Sequence, residues 1–213
     1  MADPPQVTIE ITTQSQTMEF GSLPQPQPPS ITLNGAPLPA PSQPSFLPSG
    51  FQVVILDKTQ DITQPAAIMS NEFQQMVVVD DQWGAYYQYM YEHVIKQLLT
   101  SGDPNNQLVI LASYGMEGNA PPPNDACQTF LELGANGQLQ QWIVDAVDAG
   151  SQEGNALTAW PVNYILVGAP DFTFGQGTEI WQSAPSGQQS VKSQLSVTVG
   201  NVGPPPTSPT SDA

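Results

Sequence analysis

The most reactive side chains in this sequence are a single cysteine, Cys127, and a single histidine, His93. A thiol or hydroxyl nucleophile needs a neighbouring base to activate it. Cys127 lies beside Phe130 in a short predicted helix, where it fits a small buried side chain. His93 lies in a different predicted helix, far away in sequence. Neither has an evident catalytic partner, so the sequence predicts no catalytic residue and no hydrolase or transferase activity.

Acidic, amide and aromatic side chains in predicted loops are better suited to recognition. The candidate ligand-binding residues are Asp80, Asp81, Glu117, Asn119 and Trp160. Carboxylates and amides can hydrogen-bond sugar hydroxyls, and an exposed indole can stack on the face of a sugar ring. Asp80 and Asp81 equally fit the charged end of a strand before a helix N-terminus. The loops around 80–81 and 117–119 are therefore predicted as the binding region.

A metal site is the other chemistry that acidic residues suggest. The oxygen-bearing residues Asp145, Asp148, Gln152 and Glu153 loosely resemble a calcium loop, but their spacing does not match an EF-hand. The glycines at 115, 118, 175 and 177 have no lysine nearby, so they indicate turns and not a phosphate-binding loop. No metal and no cofactor are predicted.

The charge balance excludes several classes of partner. The chain has 19 acidic residues and three basic ones, all lysines, with a formal net charge of −16. Binding to nucleic acid requires Lys and Arg that neutralise phosphates, and anionic membranes repel such a chain. Charged residues make up only 10% of this acidic, proline-rich chain, so its polar surface is largely neutral. Such a surface can pack against copies of itself with little desolvation of charge. The expected partners are copies of the chain, other subunits of an assembly, and glycans.

The sequence gives limited information on location. One cysteine allows no intrachain disulfide. The N-terminus lacks the basic and apolar regions of a secretory signal, and no apolar run reaches the length of a membrane span. We therefore expect synthesis in the cytoplasm, which is compatible with action outside the cell as part of a released particle.

Composition and periodicity divide the chain into five parts. These are an N-terminal β arm (1–21), a Pro/Gln-rich strap (22–49) with an extended polyproline-like conformation, a central domain (50–185), a C-terminal β segment (186–203) and a Pro/Ser/Thr tail (204–213).

The two β segments carry the residues predicted to act in assembly. Their apolar side chains alternate with polar ones, as in half-buried strands: Val7, Ile9 and Ile11 in the first, and Val191, Leu195, Val197 and Val199 in the second. Isolated strands are at best marginally stable, so each set needs a partner. Two arrangements remain open. The first strand either joins a sheet of a neighbouring subunit or folds back beside the C-terminal strand of its own chain.

The central domain is organised around an unbroken apolar run at 108–112, which is typical of a strand covered on both faces. A glycine loop follows, and then a short helix at 125–133 with Asn124 as N-cap and Gly134 as its stop. Further strands are predicted at 51–57, 76–81 and 162–168, and further helices at 86–100 and 138–147. The predicted fold class is α/β or α+β, with β-strand arms at both termini.

The order of these elements resembles the interleukin-like EMT inducer (ILEI, or PANDER) domain family over about 50–181. The segments that carry the resemblance are 50–57, 80–83, 108–114, 133–134 and 164–168. The resemblance implies a non-catalytic domain that binds proteins or carbohydrate. The family's acidic turn matches Glu117-Gly118 here with a displacement of one residue, and its downstream arginine has no counterpart.

Two functions therefore remain as hypotheses. The first is a non-catalytic ILEI-like recognition module for carbohydrate or a glycosylated surface, displayed on an ordered homo-oligomeric assembly. The second is a purely structural subunit of a virion or of another extracellular particle or fibre, held together by strand exchange through the terminal arms.

Overall fold

A computed structural model describes residues 5–16, 27–41, 50–75, 103–117, 124–151, 161–184 and 190–201. The strands in these ranges are β1 (Gln6–Gln16), β2 (Ser30–Leu33), β3 (Ala36–Pro37), β4 (Gly50–Asp57), β5 (Ile68–Gln75), β6 (Gln107–Tyr114), β7 (Met116–Glu117), β8 (Pro161–Gly168), β9 (Thr178–Ser183) and β10 (Ser190–Gly200). The helices are α1 (Asn124–Glu132) and α2 (Gly137–Ser151), with single 3-10 turns at Pro65–Ala67 and Pro104–Asn106.

The strands form two sheets. The small sheet has the order β10-β1-β2-β3. The large sheet has the order β5-β4-β6-β8, with β7 and β9 also paired to β8. Every pairing among the described residues is antiparallel. This confirms a sheet-rich fold and departs from the α/β alternative, which implies parallel strands.

The large sheet is the middle of three layers. All eight residues of β6 and all eight of β8 are buried, which confirms the prediction that 108–112 is covered on both faces. Alternate side chains of a strand point to opposite faces. Val109 and Leu111 pack with residues of α1 and α2, whereas Ile110 and Ala112 pack with residues of the small sheet.

Aromatic rings fill the core between the helices and the large sheet. The rings of Phe130 and Tyr164 are stacked with centroids 5.6 Å apart, and Trp142 lies 5.9 Å from Tyr164. Phe51 meets Phe130 edge-on at 5.6 Å. Offset and edge-on arrangements of this kind are favoured by the charge distribution of aromatic rings. They attach α1 and α2 to the middle of the sheet.

The terminal segments pair with each other in the small sheet. β1 lies between β10 and β2, and it pairs with β10 over all eleven of its residues. Val7, Ile9 and Ile11 are 0–1% exposed in the core between the two sheets. From β10, Val191 is buried, and Leu195, Val197 and Val199 are partly buried against the same core. Within this single chain, the predicted assembly residues are thus covered by the core between its two sheets.

The strap prediction is wrong for residues 30–37, which form the β2–β3 hairpin. The turn is Asn34-Gly35, with φ values of 49° and 78°. Hairpins with two-residue loops need positive φ at both turn positions, and Asn-Gly is the preferred pair. The Asn34 carboxamide also accepts the Thr8 N–H at 2.8 Å, which fastens the hairpin to β1.

Other predicted elements have mixed outcomes. The strands at 51–57 and 162–168 and the two helices around 125–133 and 138–147 are confirmed as β4, β8, α1 and α2. β5 was not predicted. The predicted strand at 76–81 and helix at 86–100 lie outside the described residues.

The end of α1 is fixed by close backbone packing. Gly134 has φ +90°, and the N–H of Ala135 donates to the carbonyl of Phe130, as in a Schellman motif. The carbonyl of Leu133 accepts the N–H of Ala169 just after β8. A Cβ atom at Gly168 would lie 2.0 Å from that Leu133 oxygen, so the helix end can approach the strand only because position 168 is glycine.

We expect Gly168→Ala to lower the free energy of unfolding by about 3 kcal/mol, because the added methyl group overlaps backbone and cannot be relieved by a side-chain rotation. Urea denaturation followed by tryptophan fluorescence measures this change. Gly137→Ala is the control, since nothing lies within 4 Å of its Cβ position. It should leave stability unchanged or raise it by up to about 1 kcal/mol. Equal stabilities for the two variants would contradict the proposed close approach.

Candidate functional site

The two ends of the sandwich are built differently. At one end, the closed end, the described segments 34–35, 58–67 and 169–177 join consecutive strands, and the described turn at 103–106 precedes β6. Their carboxylates accept local hydrogen bonds. Asp57 accepts from the N–H of Thr59 at 2.8 Å, and Asp61 accepts from the N–H of Thr63 at 3.0 Å. Such bonds are typical of tight turns.

The closed end also fastens the small sheet to the large one. The Asn201 amide donates to Asp61 at 2.7 Å, and its oxygen accepts the Ile62 N–H at 3.2 Å. Hydrogen bonds from the side chain of Thr63 and from Asn201 lower the pKa of Asp61 to about 2. This carboxylate therefore stays ionised, and its contribution to stability is lost only as the pH falls from about 4 toward 2.

The opposite end is called the open end. The strand ends located there are Gln16, Gly50, Gln75, Glu117, Pro161, Ser183 and Ser190. They include Glu117, one of the predicted ligand-binding residues. Connections on a rigid scaffold are the usual carriers of binding residues. The open end is therefore the candidate functional site.

A β-bulge shapes the open end. Between the Ala112–Ile165 pair and the Met116–Val162 pair, three residues of one strand oppose two of the other. Gly115, with φ +60°, supplies the left-handed conformation that such an irregularity uses. Bulges redirect side chains and are common beside functional sites.

A buried polar layer lies between the sheets next to the bulge. Its members are 0–2% exposed: Thr13, Ser15, Ser113, Asn163 and Ser193. The Thr13 hydroxyl donates to the Ser113 carbonyl, and the Ser113 hydroxyl accepts the Tyr164 N–H at 2.7 Å. The hydroxyl of Ser193 donates to Gln182 at 2.8 Å. Buried polar groups are tolerated when they are hydrogen-bonded in this way.

Asn163 is the centre of this layer. Its side-chain nitrogen is within donor distance of the Thr13 carbonyl at 3.2 Å, the Val191 carbonyl at 3.0 Å and the Ser193 hydroxyl at 3.1 Å. One amide group of the large sheet thereby holds β1 and β10 together at the open end. In the sequence, this buried polar contact is indicated by a single Asn within the otherwise apolar run 162–167.

Three buried polar atoms at this end lack a protein hydrogen-bond partner among the described residues. They are Oε1 of Gln52, the hydroxyl of Tyr114 and Oδ1 of Asn163, on the adjacent strands β4, β6 and β8. Burial raises the pKa of Tyr114, so its hydroxyl stays protonated. Buried polar groups without a hydrogen-bond partner lower stability, and ordered water is a common way in which proteins satisfy them.

Of the predicted ligand-binding residues, Glu117 lies at the open end, in β7, where its backbone pairs with Pro161. Asp80, Asp81, Asn119 and Trp160 lie outside the described residues. The described residues nearest to them in sequence, Gln75, Glu117 and Pro161, are all at the open end.

The described candidates for catalysis and metal binding, Cys127, Asp145 and Asp148, lie at positions that do not favour these roles. Cys127 is 7% exposed in the helix-side core, and burial raises the pKa of its thiol to about 11. A thiol of this kind is mostly un-ionised at neutral pH and is a poor nucleophile. Asp145 and Asp148 belong to α2, so the calcium-loop alternative does not apply to them. His93 lies outside the described residues.

Neither a metal-binding cluster nor a membrane-spanning helix is found among the described residues. They contain no group of three or more His, Cys, Asp or Glu side chains placed to hold a metal ion. Within the same ranges, none of the helices has the length and apolar character needed to cross a lipid bilayer.

Comparison of the chain with protein-family models, with curated proteins and with solved structures gives no match.

We expect Asn163→Asp to lower the free energy of unfolding by on the order of 3 kcal/mol at pH 7, because a carboxylate cannot donate to the two carbonyl oxygens around it. Burial raises the folded-state pKa of the introduced carboxyl above its unfolded value near 4. The loss relative to wild type should therefore grow as the pH rises from about 4 to 7. Urea denaturation at several pH values measures it.

Asn34→Asp is the matched control. Asn34 is exposed, and its side-chain oxygen accepts the Thr8 N–H, a role that a carboxylate also fills. This variant should change stability by less than about 0.5 kcal/mol. A pH-independent effect of Asn163→Asp would contradict the role assigned to the amide.

Proposed function

We propose that the protein is a non-catalytic, ILEI-like recognition module that binds carbohydrate or a glycosylated surface at the open end of its sandwich and is displayed on an ordered assembly. The observation that carries this proposal is the difference between the two ends. At one end the carboxylates of the turns accept local hydrogen bonds, and the other end combines a β-bulge, a buried polar layer and the predicted ligand-binding residue Glu117.

Carbohydrate is the ligand class best matched to the chemistry of this end. Sugars present many hydroxyl groups and no charge, and they are bound by carboxylates, amides and aromatic faces in combination. The candidates Asp80, Asp81, Glu117, Asn119 and Trp160 supply those groups. The chain's strong negative charge and its low content of lysine disfavour anionic ligands.

The burial of Cys127 and the raised pKa of its thiol support a non-catalytic function.

A glycan array tests the proposal. We expect wild-type protein to bind a subset of glycans, and Glu117→Ala combined with Trp160→Ala to weaken that binding at least about tenfold, because a charge-assisted hydrogen bond and a stacking contact are lost. Asp81→Ala and Asn119→Ala should give smaller losses. Glu132→Gln, on the exposed side of α1, is the control. Equal binding by the double variant and wild type would exclude this site.

A second candidate is a purely structural subunit of a particle or fibre, with β1 exchanged between copies. It is favoured by the position of β1, an N-terminal strand paired along both edges. A neighbour could supply the same strand with the same contacts, which is the usual basis of strand exchange. Within the chain β1 already has all of these contacts, so the recognition module remains the first proposal.

Disulfide trapping separates the two arrangements. The backbone N–H and carbonyl of Thr8 are bonded to Asn34, so Thr8–Thr198 is a non-hydrogen-bonded pair toward β10. The Cα atoms of such a pair lie about 4.5 Å apart, within disulfide range. We expect Thr8→Cys with Thr198→Cys to form cross-linked monomers on a non-reducing gel. Cross-linked dimers and higher species at low protein concentration would instead establish exchange. Thr8→Cys alone is the control.

A further inference from the structure

The outer face of the small sheet, which points away from the core, is polar and nearly uncharged. Its exposed and half-exposed side chains are Thr8, Glu10, Thr12, Gln14, Ser30, Thr32, Lys192, Gln194, Ser196 and Thr198. Only Glu10 and Lys192 carry charge, and their charges are opposite. This outer face is therefore neutral on a chain whose net charge is −16. It is a surface on which two copies can meet with little electrostatic repulsion.

The two charges on the outer face differ in their surroundings. Glu10 accepts a hydrogen bond from the Thr32 hydroxyl at 3.2 Å. Lys192 is exposed, and no acidic group in the described part of the chain pairs with it. Lys58, by comparison, pairs with Asp171 at 2.8 Å. A lysine without an acidic partner among the described residues is notable in a chain with 19 acidic residues and three basic ones.

The positions of these charges are self-complementary. Thr12 pairs with Gln194 across the β1–β10 ladder. Glu10 lies two residues from Thr12 along β1, and Lys192 lies two residues from Gln194 along β10, toward the opposite end of the sheet. A twofold axis that runs across the strands at Thr12 and Gln194 exchanges the two ends. After this rotation, Glu10 of each copy faces a point on the other sheet. Measured in the plane of that sheet, this point lies about one strand spacing, 4.8 Å, from Lys192.

We propose that the outer face of the small sheet binds a second copy of this chain, sheet against sheet, with Glu10 of each copy paired to Lys192 of the other. Facing sheets pack about 10 Å apart, a gap that glutamate and lysine side chains can span. Thr, Ser and Gln side chains fill the centre with neutral hydrogen-bonding groups. A closed twofold pair is the commonest form of homo-oligomer.

The size of the face predicts a reversible interaction. β1 and β10 are each about 37 Å long, β2 is about 14 Å long, and each strand is about 4.8 Å wide, so the face offers on the order of 400 Å² per copy. The total of about 800 Å² is below that of stable interfaces and is typical of a weak, transient contact. A partner surface that carries only one sign of charge would meet a like charge at either Glu10 or Lys192, whereas a second copy presents the opposite charge to each of them. A second copy fits the charge pattern best. The inference does not depend on glycan binding at the open end.

A charge-exchange experiment on the full chain tests the interface by sedimentation equilibrium at several protein concentrations. We expect wild type to show a monomer–dimer equilibrium. Glu10→Lys and Lys192→Glu alone should each raise the dimer dissociation constant about tenfold, because like charges then face each other twice. An equimolar mixture of the two variants should regain association within about threefold of wild type, since each Glu–Lys pair is restored between the different chains.

Two controls match the changes in net charge. Glu132→Lys on α1 and Lys58→Glu beside the closed end alter the net charge by the same amounts away from the outer face, and they should leave the wild-type dissociation constant unchanged. Thermal melting confirms that each variant is folded. The proposal is overturned by a wild-type protein that stays monomeric up to millimolar concentration. It is also overturned by a mixture of folded variants that associates no better than either alone.

Discussion

Two adjacent residues of β8, Asn163 and Tyr164, connect the three layers of the protein. The amide of Asn163 points to the small sheet and holds the backbone of β1 and β10. Tyr164 points to the helices, where its ring stacks on Phe130. Its hydroxyl donates to Glu179 at 2.6 Å. Because neighbouring residues of a strand face opposite sides, one dipeptide in the middle layer can fix both outer layers.

Glu179 extends this connection to α2. One of its carboxylate oxygens accepts the N–H groups of Asn136 and Gln138 at 2.7 and 3.1 Å, at the start of the helix. A carboxylate at this position satisfies helix N–H groups that otherwise lack partners and interacts favourably with the helix dipole. Through Glu179, Tyr164 of β8 therefore helps to position α2, while Asn163 of the same strand positions β1 and β10. The β-bulge lies directly opposite Asn163 and Tyr164.

Sequence patterns predicted β4, β6 and β8 of the middle layer well because these strands are covered on both faces. Runs of apolar residues at 51–56, 108–112 and 162–167 allow few other structures. Asn124 and Gly134 similarly fixed the ends of α1, since capping is a local effect. The hairpin at 30–37 was missed because the many prolines around it outweighed the Asn34-Gly35 signal. Local composition was a poorer guide there than turn chemistry.

The polar layer was not predicted for a different reason. The hydrogen bonds of Asn163 reach residues far away in sequence, Thr13 and Val191, and such pairings follow from the topology of the sheets, not from any local pattern. The partner of the first strand was likewise undecided by the sequence. An alternating pattern indicates that one face of the strand is buried, but it does not indicate which surface covers that face. Glu117 was predicted in a loop after the central strand, whereas it lies in the short strand β7, three residues beyond the end of β6.

The proposed twofold pair has a consequence for the proposed binding function. An axis that runs across the strands reverses their direction, so the open ends of the two copies would face opposite ways. Such a pair could not engage one flat surface with both ends, and the gain in affinity from linking two sites on a single surface would be lost. It could instead bridge glycans on two separate surfaces, or continue through the edges of the sheets into a longer assembly. Because the outer face and the open end are separate parts of the sandwich, association between copies leaves the binding end free.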